Sequence, residues 1–218
     1  MKVHAKGIST IIFFSLFIIL AGLAITVFCT MPDWIEMMIW VVLGIIVVLF
    51  SMFFRVPKRQ AFIDPNAIIS AADGKVVAIE TMFEKEYFRE PRIQISVFMS
   101  IYNVHVNYTP VAGEVVYKKH HPGKNYPAIN PKSSELNEMY STVIKSEKLS
   151  IMIRQIAGIA ARRIFVKPDV ADHVPQSSEL GLIKLGSRVD IFLPESVRIN
   201  VKIGDMVIAG QSVLAWID

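Results

Sequence analysis

Two apolar runs at the start of the chain constrain its fold more than any other feature. Residues 8–30 and 36–54 are almost wholly apolar, and the only charges between Ile8 and Phe54 are Asp33 and Glu36. About 20 helical residues cross the roughly 30 Å apolar core of a bilayer. A proline, an acid and a tryptophan follow one another between the runs, which is typical of a turn at a membrane interface. The pattern predicts two transmembrane helices joined as a hairpin.

The charges that flank the hairpin predict its orientation. Two lysines precede the first run, three bases follow the second in Arg55–Arg59, and the turn carries only acids. The positive-inside rule then places both ends of the hairpin, and the rest of the chain, on the cytoplasmic side of the inner membrane. The alternative is a cleaved signal peptide followed by a buried helix. The first run is longer than a signal-peptide core, and no small-residue cleavage motif precedes a polar start.

Composition divides the chain into a membrane anchor at 1–59 and one domain at 60–218. Hydrophobic residues make up 53% of the chain, an excess concentrated in the anchor. The first 60 residues hold five bases and two acids, so the remainder has 18 bases (23 − 5) against 17 acids (19 − 2). This balance does not predict nucleic-acid binding. The single cysteine, Cys29, excludes a disulfide or a cysteine metal cluster within one chain, and we expect no bound metal.

Short β-branched runs separated by turn residues follow from Phe62 onward, and they predict a mostly β domain with two layers or a flattened barrel. The segment Val201–Ala215 resembles a lipoyl-type hairpin but lacks the acceptor lysine of a carrier domain. Only Gln155–Arg162 has a helical pattern. Residues 120–138 lack periodicity and are rich in Pro, Gly, Asn and Lys. We expect a binding loop or lid there, and a mobile insertion is the alternative.

Three segments carry residues suited to catalysis. They contain Asp73 before Gly74, His105 in an apolar stretch, and Ser187 after Gly186. Each has a structural alternative, namely a turn, a core histidine and a Gly-Ser turn. Together they supply an acid, a base and a nucleophile. No G-x-S-x-G elbow is present, but a serine hydroxyl can attack its own preceding carbonyl, and glycine hinders that attack least.

These segments resemble those of phosphatidylserine decarboxylases of the short, membrane-anchored type. The resemblance covers essentially the whole chain, and its motifs occur in the order A-D-G-K-V, F-M-S-I-Y-N-V-H-V-N-Y-T-P-V-A-G-E-V, P-K-S-S-E-L-N-E, Q-I-A-G-I-A-A-R-R-I and L-G-S-R-V-D-I-F-L-P.

The resemblance implies a proenzyme that cuts itself between Gly186 and Ser187, giving a β chain of residues 1–186 and an α chain of residues 187–218. Autocatalytic serinolysis would convert Ser187 into a covalent pyruvoyl group, with His105 as base and Asp73 orienting it. That group would form a Schiff base with phosphatidylserine, an anionic phospholipid of the membrane, and release phosphatidylethanolamine and CO₂.

Several points stay open on the sequence alone. Longer members of the family carry an additional histidine three residues before the catalytic one, a place that we assign to Asn103, so the residue that reprotonates the product is unassigned. Archaetidylserine or a related serine lipid would present the same headgroup. A membrane-tethered, non-enzymatic adaptor with lipoyl-like hairpins is a distant alternative. Substrate-binding residues and a homo-oligomeric state are likewise unassigned.

Overall fold

The chain forms two units in the computed structural model, Met1–Lys58 and Arg59–Asp218. The structure describes residues 2–124, 126, 136–158, 164–183 and 186–217. Most of the predicted loop at 120–138 therefore lies outside the described residues, as does the second half of the predicted helix Gln155–Arg162.

The first unit is a pair of helices, α1 (Ala5–Phe28) and α2 (Asp33–Phe53), closed at its base by the short strands β1 (Lys2–Val3) and β2 (Arg55–Val56). Both helices are long and apolar enough to cross a membrane. Gly22 lies where they touch, because a Cβ there would come within 2.8 Å of the Trp40 ring. The predicted pair of apolar helices is confirmed.

The second unit is mostly β, as predicted, and its described residues form three sheets. The strands are β3 (Ala67–Ile69), β4 (Gly74–Glu84), β5 (Glu90–Met99), β6 (Val106–Tyr108), β7 (Gly113–His121), β8 (Met139–Lys145), β9 (Ser150–Ala157), β10 (Ile164–Val166), β11 (His173–Val174), β12 (Glu179–Ile183), β13 (Ser187–Leu193), β14 (Arg198–Ile199), β15 (Met206–Val207) and β16 (Val213–Trp216). An eight-stranded sheet curls into a half-barrel in the order β11-β7-β8-β9-β13-β5-β4-β15. The two three-stranded sheets have the orders β10-β12-β6 and β14-β16-β3.

Strand β13 lies in the middle of the large sheet and is buried along its whole length. It pairs antiparallel with β5 on one side and β9 on the other. Because side chains alternate along a strand, Val189 and Ile191 enter the main hydrophobic core, and Phe192 packs in a second cluster with Val143 and Met152. Ser187 falls on the face of Val189, so it points toward the core side of the sheet.

Two local expectations differ from the structure. Gln155–Ala157 is the end of β9 rather than a helix, because it pairs with β13 and β8. The segment Val201–Ala215 keeps its turn, where the Asp205 N–H donates to the Lys202 carbonyl at 3.1 Å. Its strand β15, however, pairs with β4, and β16 pairs with β14 and β3. Long-range pairing therefore replaces the single local hairpin.

Candidate active site

Ser187 is the first residue of β13, at one end of the large sheet. Its register partners are Met99 on β5 and Ala157 on β9. The side chain is completely buried, and Oγ has no hydrogen-bond partner within the described part of the chain. Gly186 precedes it with φ +61°, a left-handed conformation that glycine adopts without strain. The peptide bond between them therefore lies where the chain turns into a buried strand.

His105 contacts the backbone of Gly186 on the side that precedes this peptide bond. Its ring is completely buried, and Nδ1 lies 2.9 Å from the Asn103 carbonyl oxygen. Because a carbonyl only accepts, Nδ1 carries the proton and Nε2 is the acceptor. The Gly186 N–H donates to Nε2 across 3.3 Å. The structure thus brings together His105, Gly186 and Ser187, three residues that the sequence singled out, with the basic nitrogen facing the Gly186–Ser187 segment.

Asp73 lies at the same end of the sheet, just before β4. Register pairs Lys75 with Phe98, so Asp73 is two strands from Ser187, a backbone separation of about 10 Å at the usual strand spacing. Its carboxylate accepts two hydrogen bonds from the Arg59 guanidinium, at 2.6 and 2.5 Å, and a third from the Ala209 N–H at 2.8 Å. These contacts fix the carboxylate, and its role as the orienting partner of His105 stays a prediction.

The structure also adds residues that the sequence did not single out. In the sequence, Arg59 is one of the bases that flank the second apolar run. In the structure, its guanidinium makes a bidentate contact with the Asp73 carboxylate. Gln155 and Asn107 are completely buried and joined by a 2.8 Å hydrogen bond on the Ser187 side of the sheet. A polar residue at a core-facing strand position is the signal that would have revealed Gln155, had the segment been predicted as a strand.

The assignment of Asn103 needs a correction. Three residues before His105 is Tyr102, not Asn103, and Tyr102 is 80% exposed. Asn103 instead closes a turn, since its Oδ1 accepts hydrogen bonds from the backbone N–H and the hydroxyl of Ser100 at 2.9 and 2.7 Å. Its carbonyl orients His105.

A cavity of about 550 Å³ lies on the opposite face of the large sheet, lined by Arg154, Arg188 and Phe192 among others. None of its lining residues belongs to the predicted site. Its guanidinium groups are already paired, Arg188 with Asp190 at 2.8 Å and Arg154 with Glu86 at 2.7 Å. The cavity is therefore a separate feature of the sheet rather than part of the serine–histidine site.

Comparison with known proteins gives the class. The family profile described as phosphatidylserine decarboxylase matches residues 46–215. The chain belongs to the phosphatidylserine decarboxylase family and is a decarboxylase.

Three relatives named phosphatidylserine decarboxylase proenzyme show the extent of the similarity. The protein from Amoebophilus asiaticus is 50% identical over 166 residues, 76% of this chain and 74% of that protein. The one from Cytophaga hutchinsonii is 41% identical over 216 residues, 99% and 98% of the two chains. The one from Porphyromonas gingivalis is 39% identical over 219 residues, again 99% and 98%.

Proposed function

We propose that this chain is a proenzyme that converts its own Ser187 into a pyruvoyl group and then decarboxylates phosphatidylserine to phosphatidylethanolamine. The observation that carries the proposal is the contact between His105 Nε2 and the Gly186 N–H, directly before a buried serine hydroxyl. Family membership supports the decarboxylation, and the word proenzyme in the relatives' names supports the processing.

The self-cleavage uses groups of this chain and one water molecule. The Ser187 hydroxyl attacks the Gly186 carbonyl, the peptide C–N bond breaks, and the freed Ser187 nitrogen takes up the proton, which leaves an ester. His105 then removes the Ser187 α-proton, and the Gly186 carboxylate leaves as the new C-terminus. The remaining enamine takes up water and releases ammonia, which leaves a pyruvoyl group at the start of the α chain.

The residues at this position fit such a group. The Ser187 hydroxyl is completely buried and without a described partner, so no hydrogen bond is lost when its oxygen departs. A pyruvoyl ketone supplies a carbon that bonds to the substrate amine and accepts the electron pair released as CO₂ leaves. Within this proposal, Asp73 orients His105. Its carboxylate is held in place at the same end of the sheet by Arg59 and the Ala209 N–H.

The site of action follows from the two apolar helices. We place them in the inner membrane, with Arg59–Asp218 on the cytoplasmic side, because the flanking bases Lys2, Lys6, Arg55 and Lys58 lie at the ends of the helix pair. The substrate is itself a membrane lipid. Tethering the domain to the same bilayer confines the encounter between enzyme and lipid to the membrane surface.

The intact mass of the purified full-length protein tests the proposal. We expect two chains, of residues 1–186 and 187–218, with the shorter chain starting in a pyruvoyl group. Ser187→Ala is expected to remain one chain and to be inactive, and His105→Ala to remain uncut. A wild-type protein found as one 24.5 kDa chain with an unmodified serine would overturn the proposal. Assaying vesicles of phosphatidylserine beside an ether-linked serine lipid shows which lipid backbone the enzyme accepts.

A further inference from the structure

A buried pair of side-chain amides lies beside Ser187. Gln155 on β9 is in register with Val189 on β13, two residues beyond Ser187. Gln155 and Ser187 therefore share a face of the sheet as diagonal neighbours, a separation of about 7–8 Å that long side chains bridge. Asn107 reaches the same place from β6 in the facing sheet, and both amides are completely buried.

A chain of hydrogen bonds fixes which way these amides point. The Met99 thioether only accepts, so Asn107 turns its Nδ2 toward the Met99 sulfur at 3.6 Å. Asn107 Oδ1 then accepts from Gln155 Nε2 at 2.8 Å. Gln155 Oε1 is left with no hydrogen-bond partner within the described residues. In this orientation, the pair has one carbonyl oxygen, Gln155 Oε1, that can accept a further hydrogen bond.

Such an unsatisfied group is unfavourable in a protein interior, which suggests that something else satisfies it. Among the described residues, four buried side-chain polar atoms lack a partner: Arg92 Nε, Thr142 Oγ1, Gln155 Oε1 and Ser187 Oγ. Two of the four are diagonal neighbours on adjacent strands, one a carbonyl acceptor and the other the hydroxyl of the proposed nucleophile. Two unsatisfied polar groups of complementary kind therefore lie side by side in the protein interior.

We propose that Gln155 Oε1 is the acceptor for the amino group of the serine headgroup, which it holds against the carbon derived from Ser187. The inference rests on the proposed function and adds the substrate-binding residue. A carbonyl oxygen accepts N–H donors and repels carboxylates and phosphates, so the chemical class that it selects is a primary amine or ammonium. Asn107 keeps the Gln155 amide in this orientation.

Reductive capture of the product lipid tests the assignment without measuring decarboxylation. The purified full-length protein is mixed with phosphatidylcholine vesicles that contain phosphatidylethanolamine, and cyanoborohydride fixes the lipid amine onto the α chain, whose mass reports the adduct. We expect Gln155→Leu to slow capture about tenfold or more, because a hydrogen bond to a charged group is lost. Gln155→Met keeps the length of the side chain without a carbonyl oxygen and is expected to slow capture to a similar degree.

Two controls separate the possible failures. Thr142→Val removes another buried, unpartnered polar atom, on β8, and is expected to capture normally. Borohydride reduces the pyruvoyl ketone directly, without a lipid amine. The amount reduced therefore measures how much pyruvoyl group each variant contains. Capture by Gln155→Leu at the wild-type rate would overturn the inference and leave the proposed function standing. Capture by Gln155→Met at the wild-type rate would also overturn it, and this variant decides if Gln155→Leu stays uncut. A wild type without the borohydride-reactive group would overturn both proposals.

Discussion

At the scale of single residues, backbone groups direct the histidine as much as side chains do. The Asn103 carbonyl engages Nδ1 of His105, and the Gly186 N–H engages Nε2. The tautomer that a general base needs is therefore set by a turn two residues earlier in the chain. Asp73 makes neither of these two contacts, and the charge of its carboxylate is paired with the Arg59 guanidinium.

Arg59 is the residue whose removal we expect to disturb that charge most. Both arms of its guanidinium engage Asp73, and the two side chains are only 15% and 12% exposed. Arg59→Gln is expected to destabilise the domain by about 2 kcal/mol, because a buried carboxylate loses a bidentate partner. Arg59→Lys keeps the charge but loses the fork, so an intermediate loss is expected. Denaturant unfolding in a Ser187→Ala background measures the change without cleavage.

The matched control for this change is Arg89→Gln, which alters an exposed arginine on the same domain. It is expected to leave the denaturant midpoint unchanged. Equal stability of Arg59→Gln and Arg89→Gln would show that the Asp73 contact contributes little to the fold.

At the scale of elements, one buried charge network joins the β4–β5 turn to strands β7, β8 and β9. Glu86 accepts hydrogen bonds from Ser141 at 2.8 Å, His121 at 2.6 Å and Arg154 at 2.7 Å. Burial alone would raise the pKa of Glu86, but the Ser141 and His121 hydrogen bonds and the Arg154 charge outweigh it and lower the pKa. Burial and the neighbouring Glu86 raise the pKa of Tyr117 to about 12. The network thus stabilises an ionised glutamate beside a neutral tyrosine.

This network predicts an acid-sensitive fold. A carboxyl whose folded pKa is lowered contributes stability above its unfolded pKa, near the ordinary 4.5, and that stability is lost as pH falls through the folded value. We expect the free energy of unfolding to fall below about pH 4.5 and Glu86→Gln to flatten that decline. Urea unfolding at several pH values measures it. Glu147→Gln, at an exposed position, serves as the control, and an equally steep acid decline in Glu86→Gln would contradict the assignment.

Strand content was predictable from the sequence, whereas strand partners were not. Short β-branched runs between turn residues predicted β4, β5 and β13, because such residues favour extended, buried backbone. The pairing of β15 with β4 joins segments far apart in the chain, and no local pattern encodes it. Gln155 was missed for a related reason, since its small apolar neighbours suit a helix until pairing with β13 is known. Their motifs single out His105 and Ser187 as candidates, whereas nothing local in the sequence distinguishes Arg59 from the other bases that flank the apolar runs.

At the scale of the whole molecule, the Arg59–Asp218 unit contains its own hydrophobic core, whose residues run from Ile68 to Ala215. Deletion of residues 1–58 is therefore expected to leave a folded domain that still cuts itself. Without the two apolar helices it is expected to remain in solution when vesicles are floated on a density gradient, whereas the full chain floats with them. Flotation of the truncated domain to the same degree would contradict a role for the helices in membrane attachment.

The position of Ser187 at the start of β13 affects how long the cut protein stays folded. A cut there places β13, β14, β15 and β16 on a separate 32-residue peptide, although β13 runs between β9 and β5 and β16 pairs with β3 of the other fragment. Before the cut, the strands assemble within one molecule. After it, any unfolding lets a short peptide diffuse away, and reassembly becomes a second-order reaction that depends on dilution. Each molecule of the mature enzyme would then fold only once, before the cut. Its lifetime would depend on its rate of unfolding.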